Sequence, residues 1–143
     1  MYQNILLATE LTDNSQYIEE KAAAIQKLTN AKLSIIHVIE PIPYTSDELL
    51  SVYNYQEITE ALQENAKKML QPIQKRLNIA NENSIIITGS VSYEVLNYAE
   101  ENNIDLIISG SHGRHGLQLL LGSTANAILH GAKCDVLAVR FKE

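Results

Sequence analysis

The residues best suited to chemistry run from Ile104 to Gly116, Ile-Asp-Leu-Ile-Ile-Ser-Gly-Ser-His-Gly-Arg-His-Gly, with Leu-Leu-Gly-Ser-Thr following at 120–124. The apolar run reads as a buried strand, and its break into Gly110, Gly113 and Gly116 reads as a loop at the strand's C-terminal end. Glycines lack Cβ, so backbone N–H groups there can approach an anion closely, and Gly122-Ser123-Thr124 before a helix adds free N–H groups and a favourable dipole. The chemistry these features share is phosphate binding. Two readings of Gly110 and Gly113 stand side by side: an anion cradle, or positive-φ turns on leaving a strand. Gly122-Ser123 divides similarly, between a phosphate site and a close-packed helix start with a hydroxyl cap.

Other side chains near the loop say less. His112 and His115 read as solvated loop histidines rather than phosphate partners, and Arg114 is either a bidentate phosphate contact or an exposed arginine. Two histidines three residues apart with no third ligand do not define a metal site, and His37, inside an apolar run, reads as a satisfied core histidine. Ser111 and His112 are sequence neighbours, which supplies no nucleophile-to-base geometry, and no acid is placed to orient the histidine. No catalytic constellation is expected.

The loop needs a scaffold, and the rest of the chain supplies a regular one. Apolar runs at 4–8, 33–39, 84–88, 106–109 and 136–139 read as strands. Helical spacing appears between them. Ile18, Ala22, Ile25 and Leu28 mark a first helix over 15–28, with Thr12-Asp13-Asn14-Ser15 as its N-cap region. Ile58, Leu62, Ala66, Met69, Leu70, Ile73 and Leu77 mark a long second helix, Val91, Val95, Leu96 and Ala99 a third, and 119–130 a fourth. The stretch from Tyr44 to Gln56 shows no clean period; its tyrosines are equally compatible with a contact surface and with a satellite core.

Strict strand–helix alternation predicts an α/β fold: an open five-stranded parallel sheet of order 3-2-1-4-5 with helices on both faces. In such sheets ligands bind outside the C-terminal strand ends where the strand order reverses, which brings Thr9-Glu10 opposite Gly110–Gly113.

At 143 residues the chain is expected to form a single domain over 1–143. It carries no long apolar span and no signal-peptide pattern, so a cytoplasmic protein is expected. The single Cys134 has no internal disulfide partner and reads as a reduced structural thiol. A net charge of −6 and a pI near 5.2 argue against nucleic-acid and anionic-membrane partners, leaving a small molecule or another protein.

Gly-Ser-His-Gly at 110–113, Leu-Leu-Gly-Ser-Thr-Ala at 120–125, Cys-Asp-Val-Leu-Ala-Val-Arg at 134–140, the opening Asn-Ile-Leu-Leu-Ala-Thr-Glu-Leu-Thr and Leu-Ser-Ile-Ile-His-Val at 33–38 together resemble the universal stress protein family over essentially the whole chain. The resemblance implies a Rossmann-like, adenine nucleotide alpha hydrolase-like fold and a regulator of the stress response. It also implies ATP or a related adenine nucleotide, with magnesium, in the cleft between the first and fourth strands. Carried over position by position, Ser109, Gly110, Gly113, Gly122, Ser123 and Thr124 lie near phosphates and ribose, and Ala8, Thr9, Glu10 and Val38 near base or sugar. A homodimer through the last strand, Val136–Arg140, is implied as well; that strand at a sheet edge carries unpaired ladder groups, which a second copy would cover.

Two departures complicate the resemblance. ATP-binding members place nine residues between the second and third glycines, whereas 114–121 gives eight, and Glu10 stands where they carry aspartate. Both departures resemble the A-type branch, in which nucleotide binding is not generally expected. Three functions therefore remain open: a nucleotide-binding regulator, a dimeric interaction module without nucleotide, and a slow ATPase.

Overall fold

The computed structural model describes residues 1–42, 52–111 and 121–140. Five strands alternate with four helices: β1 Asn4–Ala8, α1 Ser15–Thr29, β2 Lys32–Ile39, α2 Val52–Arg76, β3 Ser84–Thr88, α3 Val91–Glu101, β4 Leu106–Gly110, α4 Ser123–Gly131 and β5 Asp135–Val139. All strand pairs are parallel and the order is β3-β2-β1-β4-β5, as the alternation predicts. The order reverses at β1, with β2 on one side (Leu6 opposite Ser34) and β4 on the other (Leu6 opposite Ile107).

Continuous apolar runs form these strands because both faces of the sheet are covered. Ile5, Leu7, Ile35 and Ile108 point into one core with Ile18 and Ala22 of α1 and Ala66, Leu70 and Ile73 of α2. Leu6, Ile36 and Ile107 point into the other, with Val95 and Ala99 of α3 and Ile128 of α4. The central strand β1 is the most completely enclosed: Ile5, Leu6 and Leu7 are all 0% exposed.

Several boundaries differ from the sequence expectation. The second helix begins at Val52 and so includes Tyr53 and Tyr55, while Tyr44 lies outside the described residues. Its apolar stripe is buried only in the C-terminal half. No residue from Asn54 to Asn65 is buried, and Leu62 and Met69 are 37% and 44% exposed. Leu28, expected in the buried stripe of α1, is 82% exposed beside the helix end, where Asn30 turns the chain at φ 55°. The fourth helix starts at Ser123, not Leu119: Gly122 is extended at φ −60°, ψ 155°, so Leu121 and Gly122 precede the helix.

Candidate functional site

A cleft of about 550 Å³ opens at the C-terminal ends of β1, β2 and β4, where the strand order reverses. Its lining contains Ala8, Thr9, Glu10 and Val38 from the β1 and β2 side, and Ser109, Gly110, Ser123 and Thr124 from the β4 and α4 side. Gly122 immediately precedes Ser123 as the N-cap residue of α4, and Gly113 lies outside the described residues, as do His112, Arg114, His115 and Gly116. The topology thus collects segments separated by about a hundred residues of chain on one rim of the sheet.

The β1 side is a tightly fastened turn. Thr9 N–H extends the ladder to Ile36 O at 3.0 Å, and Leu11 N–H donates to Thr9 Oγ1 at 3.2 Å. Leu11 itself adopts φ 57°, a left-handed conformation that costs a residue with a Cβ and is held by these contacts. Ser15, expected in the N-cap region of α1, makes no side-chain cap there; Asn14 occupies the N-cap, and Ser15 Oγ instead accepts Thr12 N–H at 3.0 Å. The hydroxyl closes the turn rather than the helix.

The β4 side is more open to a ligand. Ser111 N–H bonds Val139 O at 2.9 Å, and Gly122 N–H bonds Ser111 O at 2.7 Å, joining the start of α4 to the end of β4. The N-cap residue of α4 is Gly122, so no side chain caps that helix start, and Ser123 and Thr124 of its first turn line the cleft. Also lining the cleft, Ser109 Oγ is buried without a hydrogen-bond partner among the described residues. A buried unpaired hydroxyl costs free energy, which makes this atom a natural receiver of an outside partner.

Neither described glycine on this side is required by its backbone. Gly110 is the last residue of β4, paired with Val139, Gly122 sits at φ −60°, and no glycine among the described residues has positive φ. The positive-φ turn reading of Gly110 is therefore set aside: any residue could adopt this backbone, so what glycine contributes is room for close approach.

His37 is the wall residue that sequence reasoning undervalued. It lines the cleft and its Nδ1 lies 2.8 Å from Thr9 O, so the satisfied histidine expected from the sequence is satisfied by the site's own turn. A polar ring in the apolar run from Ile35 to Ile39, next to Val38, was the available signal. Among the described residues no group of three or more His, Cys, Asp or Glu side chains is placed to hold a metal ion, and no helix is long and apolar enough to cross a membrane.

This doubly wound sheet, with a cleft at its switch point, defines an α/β protein of the adenine nucleotide alpha hydrolase-like class. The family model for universal stress proteins matches residues 1–140, and the chain belongs to that family. Universal stress protein A homolog 2 of Coxiella burnetii is 44% identical over 142 residues, covering 99% of this chain and 97% of that protein. The solved structure of the hypothetical protein MJ0577 superposes with a TM-score of 0.84 at 28% identity, covering 100% of this chain and 99% of that one. A universal stress protein solved in complex with cAMP shares the fold, with a TM-score of 0.72 at 22% identity and coverage of 99% and 98%.

Proposed function

We propose that this chain is a cytoplasmic stress-response regulator that binds ATP or a related adenine nucleotide in the cleft between β1 and β4. The observation that carries the reading is the shared cleft at the ends of β4 and α4: Gly110 closes β4 and Gly122 precedes the α4 N-terminus, both with backbone conformations open to any residue, and the Ser109 hydroxyl, unpaired among the described residues, lines the same cleft. Phosphate and ribose fall to Ser109, Gly110, Gly113, Gly122, Ser123 and Thr124, and base or sugar to Ala8, Thr9, Glu10 and Val38. A neighbour of the same fold solved with cAMP supports an adenine nucleotide as the ligand class. Magnesium arrives with the phosphates of the nucleotide. Occupancy biases the segment between Gly110 and Gly122, and so the surface presented to protein partners.

The protein acts as a homodimer through Val136–Arg140. Support comes from β5, an edge strand with β4 as its one neighbour in the sheet, on which Val136, Leu137 and Ala138 are all incompletely buried. A second reading, an interaction module without nucleotide, is favoured by the eight-residue spacing over 114–121 and by Glu10. Calorimetric titration with ATP and magnesium separates the two. Binding by the native chain and its loss in Gly113→Val, with unchanged melting temperature, establishes the nucleotide site; no heat and no thermal stabilisation at millimolar ATP establishes the module. Light scattering on the same sample is expected to give twice the 15.9 kDa chain mass, and a mass of one chain overturns the dimer.

A further inference from the structure

Where β1 ends, Thr9 N–H donates to Ile36 O at 3.0 Å. In a parallel ladder the residue that donates one rung accepts the next from two positions further along its neighbour, so the following rung would run from Val38 N–H to Thr9 O. At this rung His37 Nδ1 stands 2.8 Å from Thr9 O. A carbonyl oxygen only accepts, so Nδ1 carries the proton, and the imidazole serves as a side-chain rung where the chain leaves the sheet. Both the neutral Nδ1–H tautomer and the imidazolium supply that donor. Thr9 is buried, at 8% exposed, and a buried carbonyl that loses its donor costs free energy.

The consequence reaches the cleft through one peptide unit. Glu10 follows Thr9 directly and lines the cleft, and Leu11 at φ 57° follows Glu10. The hydroxyl contacts of Thr9 and Ser15 belong to the turn and would travel with it, whereas the ring belongs to β2 and ties the turn to the sheet. We propose that His37 is a positioning residue, whose hydrogen bond to the Thr9 carbonyl fixes the β1–α1 turn and thereby the stance of Glu10 toward the ligand. Its ligand arm rests on the nucleotide reading; its structural arm does not.

Three proteins test it: the native chain, His37→Asn, whose amide N–H can stand in for Nδ1–H, and His37→Leu, which keeps bulk without a donor. In the ligand-free native protein at pH 8, ¹⁵N NMR of the imidazole is expected to show the proton on Nδ1; a proton on Nε2 alone overturns the proposal. Amide exchange at Leu11 and Thr12 is expected to accelerate on the order of tenfold in His37→Leu and to stay near native in His37→Asn, while Ile107 and Ile108 are unchanged. Native protection at Leu11 and Thr12 in His37→Leu overturns it. Where His37→Leu does not fold, the tautomer and the asparagine variant decide. With ATP and magnesium, affinity is expected to fall about tenfold in His37→Leu and to be restored in His37→Asn, and equal affinities in all three overturn the positioning role. Should the native chain bind no nucleotide, the nucleotide reading fails while exchange and tautomer still decide for or against His37.

Discussion

At the end of the sheet where strands begin, Asp105 accepts Gln3 N–H at 2.7 Å and Asn4 N–H at 3.1 Å, and Tyr2 donates its hydroxyl to Asp135 at 2.8 Å. Asn4 closes the group by donating its amide to Asn103 O at 3.3 Å. At the end where strands finish, Ser109 Oγ has no partner, α4 lacks a side-chain cap, and a cleft of about 550 Å³ remains between them. Polar side chains at the entry end are paired across the sheet, whereas at the exit end the paired groups of Thr9 and His37 border a cleft that Ser109 also lines. On the proposed nucleotide reading, substitutions at the two ends should separate stability from affinity.

The largest expected effect is at the closed end. Asp105→Ala leaves two backbone donors of the β1 entry without their carboxylate and should cost about 2 kcal/mol in urea unfolding, with ATP affinity unchanged in the folded fraction. A loss of affinity matching the loss of stability would break the separation. At the open end the sign reverses. Ser109→Ala removes an unpaired buried hydroxyl, so the ligand-free protein should be unchanged or stabilised by up to about 1 kcal/mol, while nucleotide affinity falls. Destabilisation by a similar amount would mean that the hydroxyl already has a partner in solution.

The smallest effect sharpens the closed end electrostatically. The hydrogen bond to the Asp135 carboxylate holds the Tyr2 phenol above its ordinary value of 10, with desolvation and the charges of Asp135 and Asp105 adding to it. A pKa raised by folding contributes stability that is present below the ordinary phenol range and is lost as pH rises through the folded-state value. Ultraviolet titration should show a late-ionising tyrosine in the native chain that ionises earlier in Asp135→Asn; an unchanged late ionisation in the variant contradicts the pairing. Cys134 follows the same logic, since burial foremost and Asp135 next push its thiol up, in keeping with the structural thiol expected from sequence.

What was legible in the sequence follows from physical pattern. Runs such as Asn4–Ala8 and Leu106–Gly110 are apolar without alternation because parallel strands are covered on both faces, and that alone fixes the fold class and the location of the switch point. Ser109, Gly110, Thr9 and Glu10 were legible as site candidates because they close such runs or follow them directly. The start of α4 was not: the apolar residues leading up to Gly122 carry no boundary signal, and the break is a backbone event at Gly122, ψ 155°. The exposure of Leu62 and Met69 was equally hidden, because periodicity reports which side of a helix is apolar and says nothing of where along its length the core ends. The hydrogen bond of His37 was expected, but its acceptor lies 28 residues away in sequence and only the β1–β2 pairing brings it near.

The most direct test follows an ATP and magnesium titration amide by amide in the native protein. Shifts and slowed exchange are expected at Thr9–Thr12, Ser109–Ser111 and Ser123–Ala125, with Gln3, Asn4, Asp105 and Asp135 unmoved. Perturbations spread equally over both ends of the sheet, or none at either at millimolar nucleotide, would contradict the account.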